Sequence, residues 1–229
     1  MEHPDLWYDD NRQVGLDFDD EAEVATYDAR QARSPEADRA LLAELGAGRE
    51  TRFADIGCGT GLLACEAAKV CRAVRAIDIS AAMLAAAGRR AQAEGLTNIS
   101  FEQAGFLSFD APPASLDLIT TKNALHHLPD FWKGMALVRM HAALRSGGRL
   151  YIRDVCFGER PAELASAVES WASFLAANTG YSRADAACHV REEHSTFSWV
   201  IDRLLSEAGF RVLERRQDTV YASFLAERS

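Results

Sequence analysis

The chain has 229 residues, 48% hydrophobic and 9% aromatic, with five cysteines and a formal net charge of −9. That composition supports a sizeable buried core and excludes wholesale disorder, and the acidic balance excludes a phosphate-tracking surface, so no nucleic acid partner is expected. No run approaches the ~18 apolar residues of a membrane span, and the opening MEHPDLWYDD lacks a signal-peptide pattern. No membrane association and a cytoplasmic location are the resulting expectations.

The charge is concentrated at one end. Residues 1–28 hold ten acids against one base, Arg12, and carry the whole −9. A solvated arm and a contact for a cationic ligand both fit this pattern. Cys58, Cys65, Cys71, Cys156 and Cys188 are scattered and form no Cys-x-x-Cys pair. No disulfide framework or zinc site is indicated, and most of them read as small buried residues, with Cys58 set apart by its neighbours in the glycine-rich turn.

From residue 51 onward, strands and helices alternate. RFADI (52–56) reads as a buried strand ending in a glycine-rich turn, and LLACEAAKVC (62–71) as a helix. AVRAID (73–78) is a second strand, followed by a helix over 80–95 with Ser80 as N-cap and Gly95 as stop. NISFEQ (98–103) and LDLITT (116–121) are the third and fourth strands. A helix over roughly 130–145 closes at Ser146-Gly147-Gly148, and RLYIRDV (149–155) is the fifth strand. This alternation predicts a doubly wound parallel sheet covered on both faces.

After residue 155 the rhythm breaks. Residues 159–178 and 183–190 read as helical with no strand between them, and 195–208 as a helix ending at Gly209. FRVLERR (210–216) and TVYASFLA (219–226) are separated only by Gln217–Asp218 and are expected to pair as an antiparallel hairpin.

The first strand leads into Asp55-Ile-Gly-Cys-Gly-Thr-Gly61. Gly57, Gly59 and Gly61 leave no side chain where backbone must approach a ligand. The following helix start is expected to face a ligand anion. The spacing G-x-G-x-G differs from the dinucleotide fingerprint G-x-G-x-x-G. The second strand ends at Asp78, placed to accept both hydroxyls of a ribose, and Met83 is expected over the same ligand.

DIGCGTG followed by AIDIS at this spacing resembles the class I S-adenosylmethionine-dependent methyltransferases. The likeness runs from about residue 50 to 155 and more loosely to the terminal hairpin. It implies an α/β, Rossmann-like, mostly parallel seven-stranded sheet with an antiparallel C-terminal hairpin and a helical cap insertion. The expected organisation is one domain, 1–229: a helical arm or lid (1–48), a cofactor-binding core (49–155), a cap (156–195) and a terminal helix and hairpin (196–229).

By this resemblance Asp55, Gly57, Cys58, Gly59 and Gly61 hold the methionine end of S-adenosylmethionine. Asp78 takes its ribose, and Ile79 and Met83 flank its adenine. Many members carry an acid after strand three that contacts the adenine amino group. Here that place holds Gly105, so the backbone of Gly105 and Phe106, or the Phe106 ring, is expected to serve instead. Tyr27-Asp28 resembles the pair that precedes the first strand in many members.

The stretch KNALHHLPDFW (122–132) resembles the fourth motif of the family, at the edge of the sheet beside the transferable methyl. Asn123 is expected to contact the cofactor. Of the histidine doublet, His126 is expected to face the cleft, as a base where the acceptor must lose a proton or as a pocket wall, and His127 to pack in the core. A metal held by the pair is not expected, because adjacent residues project differently and no acid sits at ligand spacing. Asp154 at the end of strand five is a second candidate base. Arg153 and His194 are candidate acceptor contacts, and Ser195 or Thr196 a helix cap. Trp171, Phe174 and Tyr181 suggest a cap core. Trp7, Tyr8, Phe18 and Tyr27 suggest an aromatic lid, with Tyr8 and Phe18 toward the acceptor.

The expected activity is methyl transfer from S-adenosylmethionine to a small-molecule acceptor by a monomer or homodimer. Two rivals are a protein that binds this cofactor without turnover or for non-methyl chemistry, and a nicotinamide-dependent oxidoreductase. The glycine spacing speaks against the second.

Overall fold

The computed structural model describes residues 7–11, 21–30, 34–158, 160–218 and 220–229. Two helices, α1 (Glu21–Arg30) and α2 (Pro35–Glu44), precede the sheet. Helix α2 has the sequence signals of a clean start: the Ser34 side chain accepts from the Ala37 amide, and a proline follows at the first position. Then come β1 (Arg52–Ile56), α3 (Leu62–Ala68), β2 (Ala73–Asp78), α4 (Ala81–Ala93), β3 (Ile99–Gln103), β4 (Leu116–Lys122), α5 (Asp130–Ala143) and β5 (Leu144–Phe157). Ser80 caps α4 by accepting from the Met83 amide, as its sequence predicts.

The strands run in the order β3-β2-β1-β4-β5 as a parallel sheet. The near-continuous burial of β1 and β4 fits strands covered on both faces. One apolar layer, around Ile119, Leu137, Met140 and Phe224, lies on one face. Another, around Phe53, Leu63, Val74 and Leu118, lies on the other. Strand order reverses between β1 and β4, and ligands of open α/β sheets bind outside the carboxyl ends of the strands at such a point.

The chain continues through α6 (Leu164–Asn178), α7 (Arg183–Glu192), β6 (Thr196–Phe197), α8 (Ser198–Glu207), β7 (Phe210–Asp218) and β8 (Tyr221–Arg228). Strands β8 and β7 complete the sheet as an antiparallel hairpin beside β5. The expected break at Gln217–Asp218 is instead paired strand, with Asp218 opposite Tyr221. Strand β5 begins at Leu144, earlier than expected, because that fully buried residue pairs with Leu116 on β4.

The sheet also has a short eighth strand. Residues Thr196 and Phe197 pair in parallel with Cys156 and Phe157, and α8 starts only at Ser198. The Thr196 hydroxyl donates to Asp130 at 2.8 Å and caps nothing. Ser195 meets His189 Nε2 at 2.6 Å. Helices α6 and α7 pack over the end of β5, with Trp171 buried edge-on against Phe157 and His189. Phe174, expected in that small core, is half exposed instead. None of the five cysteines is in a disulfide, and burial pushes Cys65 and Cys71 up to about 11, consistent with inert packing residues.

Candidate active site

Three glycines carry left-handed φ values in the loop after β1: Gly57 at 75°, Gly59 at 55° and Gly61 at 76°. A Cβ on Gly57 would lie 2.3 Å from the Ala124 methyl, and one on Gly61 would lie 2.6 Å from that of Ala87. Glycine is therefore needed for close backbone packing as well as for φ. The loop amides are spent internally. Gly57 and Cys58 donate to the Ile77 carbonyl at 2.8 and 3.0 Å, and Gly61 donates to that of Cys58 at 3.1 Å. Gly59 donates to Asp78 at 2.8 Å. The expected anion cradle is thus a close-approach surface whose N–H groups are largely occupied.

A cleft opens above this loop, lined by Gly57, Gly59, Asp78, Ile79, Met83, Gly105, Phe106 and Asn123, with Tyr8 and Tyr27 from the segments before the sheet. Asp55, Cys58 and Gly61 lie behind the lining; Asp55 is buried and accepts from the Thr120 hydroxyl at 2.7 Å. Helix α1 is fastened to the loop through Asp28, which accepts from the Thr60 hydroxyl and from Arg90, each at 2.5 Å. That anchor sets Tyr27 over the cleft.

Asp10 is a cleft residue that sequence reasoning missed. It is buried, accepts from the Leu107 amide at 2.5 Å, and places its carboxylate where a Cβ on Gly105 would be 2.4 Å away. Tyr8 and Trp7 beside it pack on Trp132, with ring centroids 6.2 and 5.4 Å away. The arm thus delivers a carboxylate to the point where β3 is followed by a glycine. Phe18 lies outside the described residues.

The histidine doublet occupies a 3₁₀ turn, Leu125–His127, not strand. About three residues per turn separate neighbouring side chains by roughly 120°, so one imidazole goes inward and the other outward. His126 is the more buried of the two and walls only the larger cavity described below, whereas His127, expected in the core, lines both that cavity and the cleft. His126 is 6% exposed. Its Nδ1 lies 2.5 Å from Asp154 and its Nε2 3.0 Å from Glu193. Burial opposes charge on this ring, but the two carboxylates raise its pKa to about 10. In this arrangement both ring nitrogens are engaged by carboxylates, which makes this ring a poor base for an acceptor.

Asp154 faces inward too and lines neither cavity. Its carboxylate also accepts from the amides of His126 and Val155, at 3.1 and 2.7 Å. Burial pushes both Asp154 and Glu193 upward, but the His126 cation outweighs it and holds them below the usual carboxylate range, with His189 adding to the effect on Glu193. His127, by contrast, lines the cleft. Burial first, and then the His126 cation, press its pKa down to about 3, so it stays neutral.

On the other side of His127 lies a second cavity of about 560 Å³, walled by β5, the cap helices and α2. Tyr27, Asn123 and His127 line both spaces. Arg153 also lines the larger one, where its guanidinium lies 4.5 Å over the Tyr221 ring and donates to the Asn123 side chain at 3.1 Å. His194 lines neither; its amide donates to the His126 carbonyl at 2.8 Å, and its own carbonyl accepts from the buried Lys133. His189 and Glu193, both walls of the larger cavity, are the other residues that sequence reasoning missed.

A mostly parallel sheet with a reversed terminal hairpin, a glycine loop at the switch point and an acid at the end of β2 defines a Rossmann-like fold with a nucleoside-cofactor cleft. Residues 53–148 match the family model described as a methyltransferase domain. An uncharacterized methyltransferase of Geobacillus thermodenitrificans is 30% identical over 165 residues, covering 72% of this chain and 71% of the relative. The 27-O-demethylrifamycin SV methyltransferase of Amycolatopsis mediterranei is 36% identical over 121 residues, 52% of this chain and 43% of that one. In fold, the crystal structure of an S-adenosylmethionine-dependent methyltransferase from Aquifex aeolicus superposes with a TM-score of 0.65 at 18% identity, covering 92% of this chain and 99% of that one.

The chain belongs to the class I S-adenosylmethionine-dependent methyltransferase family. It is a methyltransferase enzyme with S-adenosylmethionine as its cofactor. The cleft suits that cofactor: Ile79, Met83 and Phe106 offer apolar walls, Asp78, Asp10 and Asn123 polar ones, and the loop admits no Cβ at Gly57. Among the described residues no helix is long and apolar enough to cross a membrane.

Proposed function

We propose that the enzyme methylates a small molecule held in the 560 Å³ cavity, and that Tyr27, Asn123 and His127 form the passage between acceptor and cofactor. The observation that carries this reading is that these three residues line both spaces. S-adenosylmethionine, when bound, supplies a methyl already activated on sulfonium sulfur, so the protein's task is alignment and exclusion of water. Asp78, Ile79, Met83 and Asp10 would hold the nucleoside end. The tyrosine beside the passage is suited to a cationic sulfonium.

His127 is neutral, so a ring nitrogen can accept a hydrogen bond from an acceptor O–H or N–H and orient it. Its basicity is too low for it to remove the proton outright. That favours an acceptor that is already nucleophilic, such as an amine, or already ionised. Arg153 supports an anionic group in the acceptor, since no carboxylate lies within ion-pair distance of it among the described residues. The Trp171 indole N–H, buried at the cavity wall, has no hydrogen-bond partner among those residues and supplies a further donor. His126 and Asp154 are positioning residues in this reading.

The test is transfer of labelled methyl from S-adenosylmethionine to a panel of amines, phenolates, thiols and carboxylates. Label is expected in a small product, with turnover lost in His127→Ala and cofactor binding kept. Label found only on protein or nucleic acid would contradict the proposal.

A further inference from the structure

At the floor of the larger cavity, two histidines and a carboxylate converge from distant parts of the chain. One ligating atom from each of His126, His127 and Glu193 lies within 4.8 Å of the other two. His126 Nε2 and Glu193 are separated by 3.0 Å. Donors bonded to one divalent ion at about 2.0–2.2 Å stand roughly 3–3.6 Å apart; the 3.0 Å pair already meets this, and a small side-chain shift brings the third donor in. The absence of an acid at ligand spacing in the sequence is thus made good by folding, which brings Glu193 from just beyond α7 to the turn after β4.

We propose that His126, His127 and Glu193 form a binding site for a divalent first-row transition metal, of which zinc is the type. Two imidazoles and one carboxylate suit that class of ion, whereas calcium and magnesium take oxygen ligands. Two of the three ligands are oriented from behind, as metal ligands usually are. Asp154 faces His126 Nδ1 at 2.5 Å and so turns Nε2 toward the site, where the metal takes the place of the proton now shared with Glu193 and releases it to solvent. His189 Nδ1 contacts Glu193, and its own Nε2 meets the Ser195 hydroxyl at 2.6 Å.

The surroundings give the ion two roles. His126 and His127 sit at the edge of the sheet and Glu193 follows a cap helix, so the metal ties cap to core. All three residues also line the 560 Å³ cavity, so the remaining coordination positions face the acceptor space. An acceptor hydroxyl bound there loses its proton to water more readily and meets the methyl as the oxyanion. This second role rests on the acceptor reading above; metal binding itself does not.

The experiment uses the full chain, stripped with a chelator and desalted, with zinc chloride titrated by calorimetry and cobalt(II) followed by visible absorption. S-adenosylmethionine binding is measured on the same samples, which keeps failure of the cofactor reading distinct. Saturable binding of one zinc per chain is expected, with a raised Tm and cobalt d–d bands lacking thiolate charge transfer. Glu193→Gln should lose this binding while retaining its fold and its cofactor affinity, and Asp154→Asn should weaken it about 10–100-fold. The proposal is overturned by the absence of saturable binding to folded protein or by binding that survives both Glu193→Gln and His127→Ala. A thiolate band, pointing to Cys188 on the same cavity wall, would overturn it equally.

Discussion

Asp154 holds His126 at two points: one carboxylate oxygen accepts from its backbone amide at 3.1 Å, and the other faces its ring Nδ1 at 2.5 Å. The end of β5 thereby fixes both the turn after β4 and the direction of its first imidazole. Two residues that the sequence offers as candidate bases become one positioning unit, and His127 is the member of the doublet that lines both the cleft and the larger cavity.

Removing the carboxylate leaves a buried imidazolium with Glu193 as its remaining counter-charge. Asp154→Ala should destabilise the fold by about 3–5 kcal/mol, the usual cost of breaking a buried pair from one side. Urea unfolding followed by circular dichroism measures this. A loss within error of zero would mean that the pair contributes nothing to stability.

The contact between Asp10 and Gly105 predicts a swap. Gly105→Asp puts a side chain where a Cβ already lies 2.4 Å from the Asp10 carboxylate, so it should displace the arm and weaken cofactor binding. The double variant Asp10→Gly/Gly105→Asp removes the clash and restores an acid on β3's side of the cleft. Calorimetric titration with S-adenosylmethionine should show recovery in the double variant, and additive losses would refute the pairing.

Gly57→Ala meets two obstacles, a φ of 75° and an Ala124 methyl 2.3 Å away. Backbone strain alone costs about 1–2 kcal/mol, and the collision must also move the turn before the histidines. Cofactor affinity is expected to fall by roughly tenfold or more. Equilibrium dialysis with labelled cofactor reads this directly, and unchanged affinity would remove the loop from the site.

Acid sensitivity is expected at the opposite end of the sheet. Burial pushes Asp117 upward, but hydrogen bonds from Arg52 and Arg145 outweigh it and bring its pKa down to about 2. The folded value lies below the unfolded value of about 3.9, so the stabilisation is complete above that pH. It is lost as pH falls toward 2. Discounted for screening of the partly exposed arginines, it amounts to about 1–2 kcal/mol. Asp117→Asn should lower Tm at pH 7 and flatten its fall between about pH 4 and pH 2; parallel curves for variant and wild type would contradict the assignment.

What was legible in the sequence was local. The glycine loop, Asp78 and the Ser80 cap are set by residues a few positions apart, and the strand–helix alternation follows from short apolar runs. The long-range pieces were not legible. Asp10 reaches Gly105, and Glu193 reaches His126, only because the arm and the cap fold back onto the sheet edge. His127 was expected in the core for a smaller reason: a 3₁₀ turn after β4 rotates successive side chains differently from a strand, and nothing in Leu-His-His-Leu distinguishes the two. The hairpin was recognised, but its break was misplaced because Gln217 and Asp218 are polar residues that nevertheless stay paired.

The account turns on where the reacting sulfur lies. A crystal structure with S-adenosylhomocysteine bound tests it most directly and needs no known acceptor. The sulfur is predicted among Tyr27, Asn123 and His127, facing the 560 Å³ cavity. A sulfur turned toward Tyr8 and Trp132, with the large cavity closed off from it, would contradict the account.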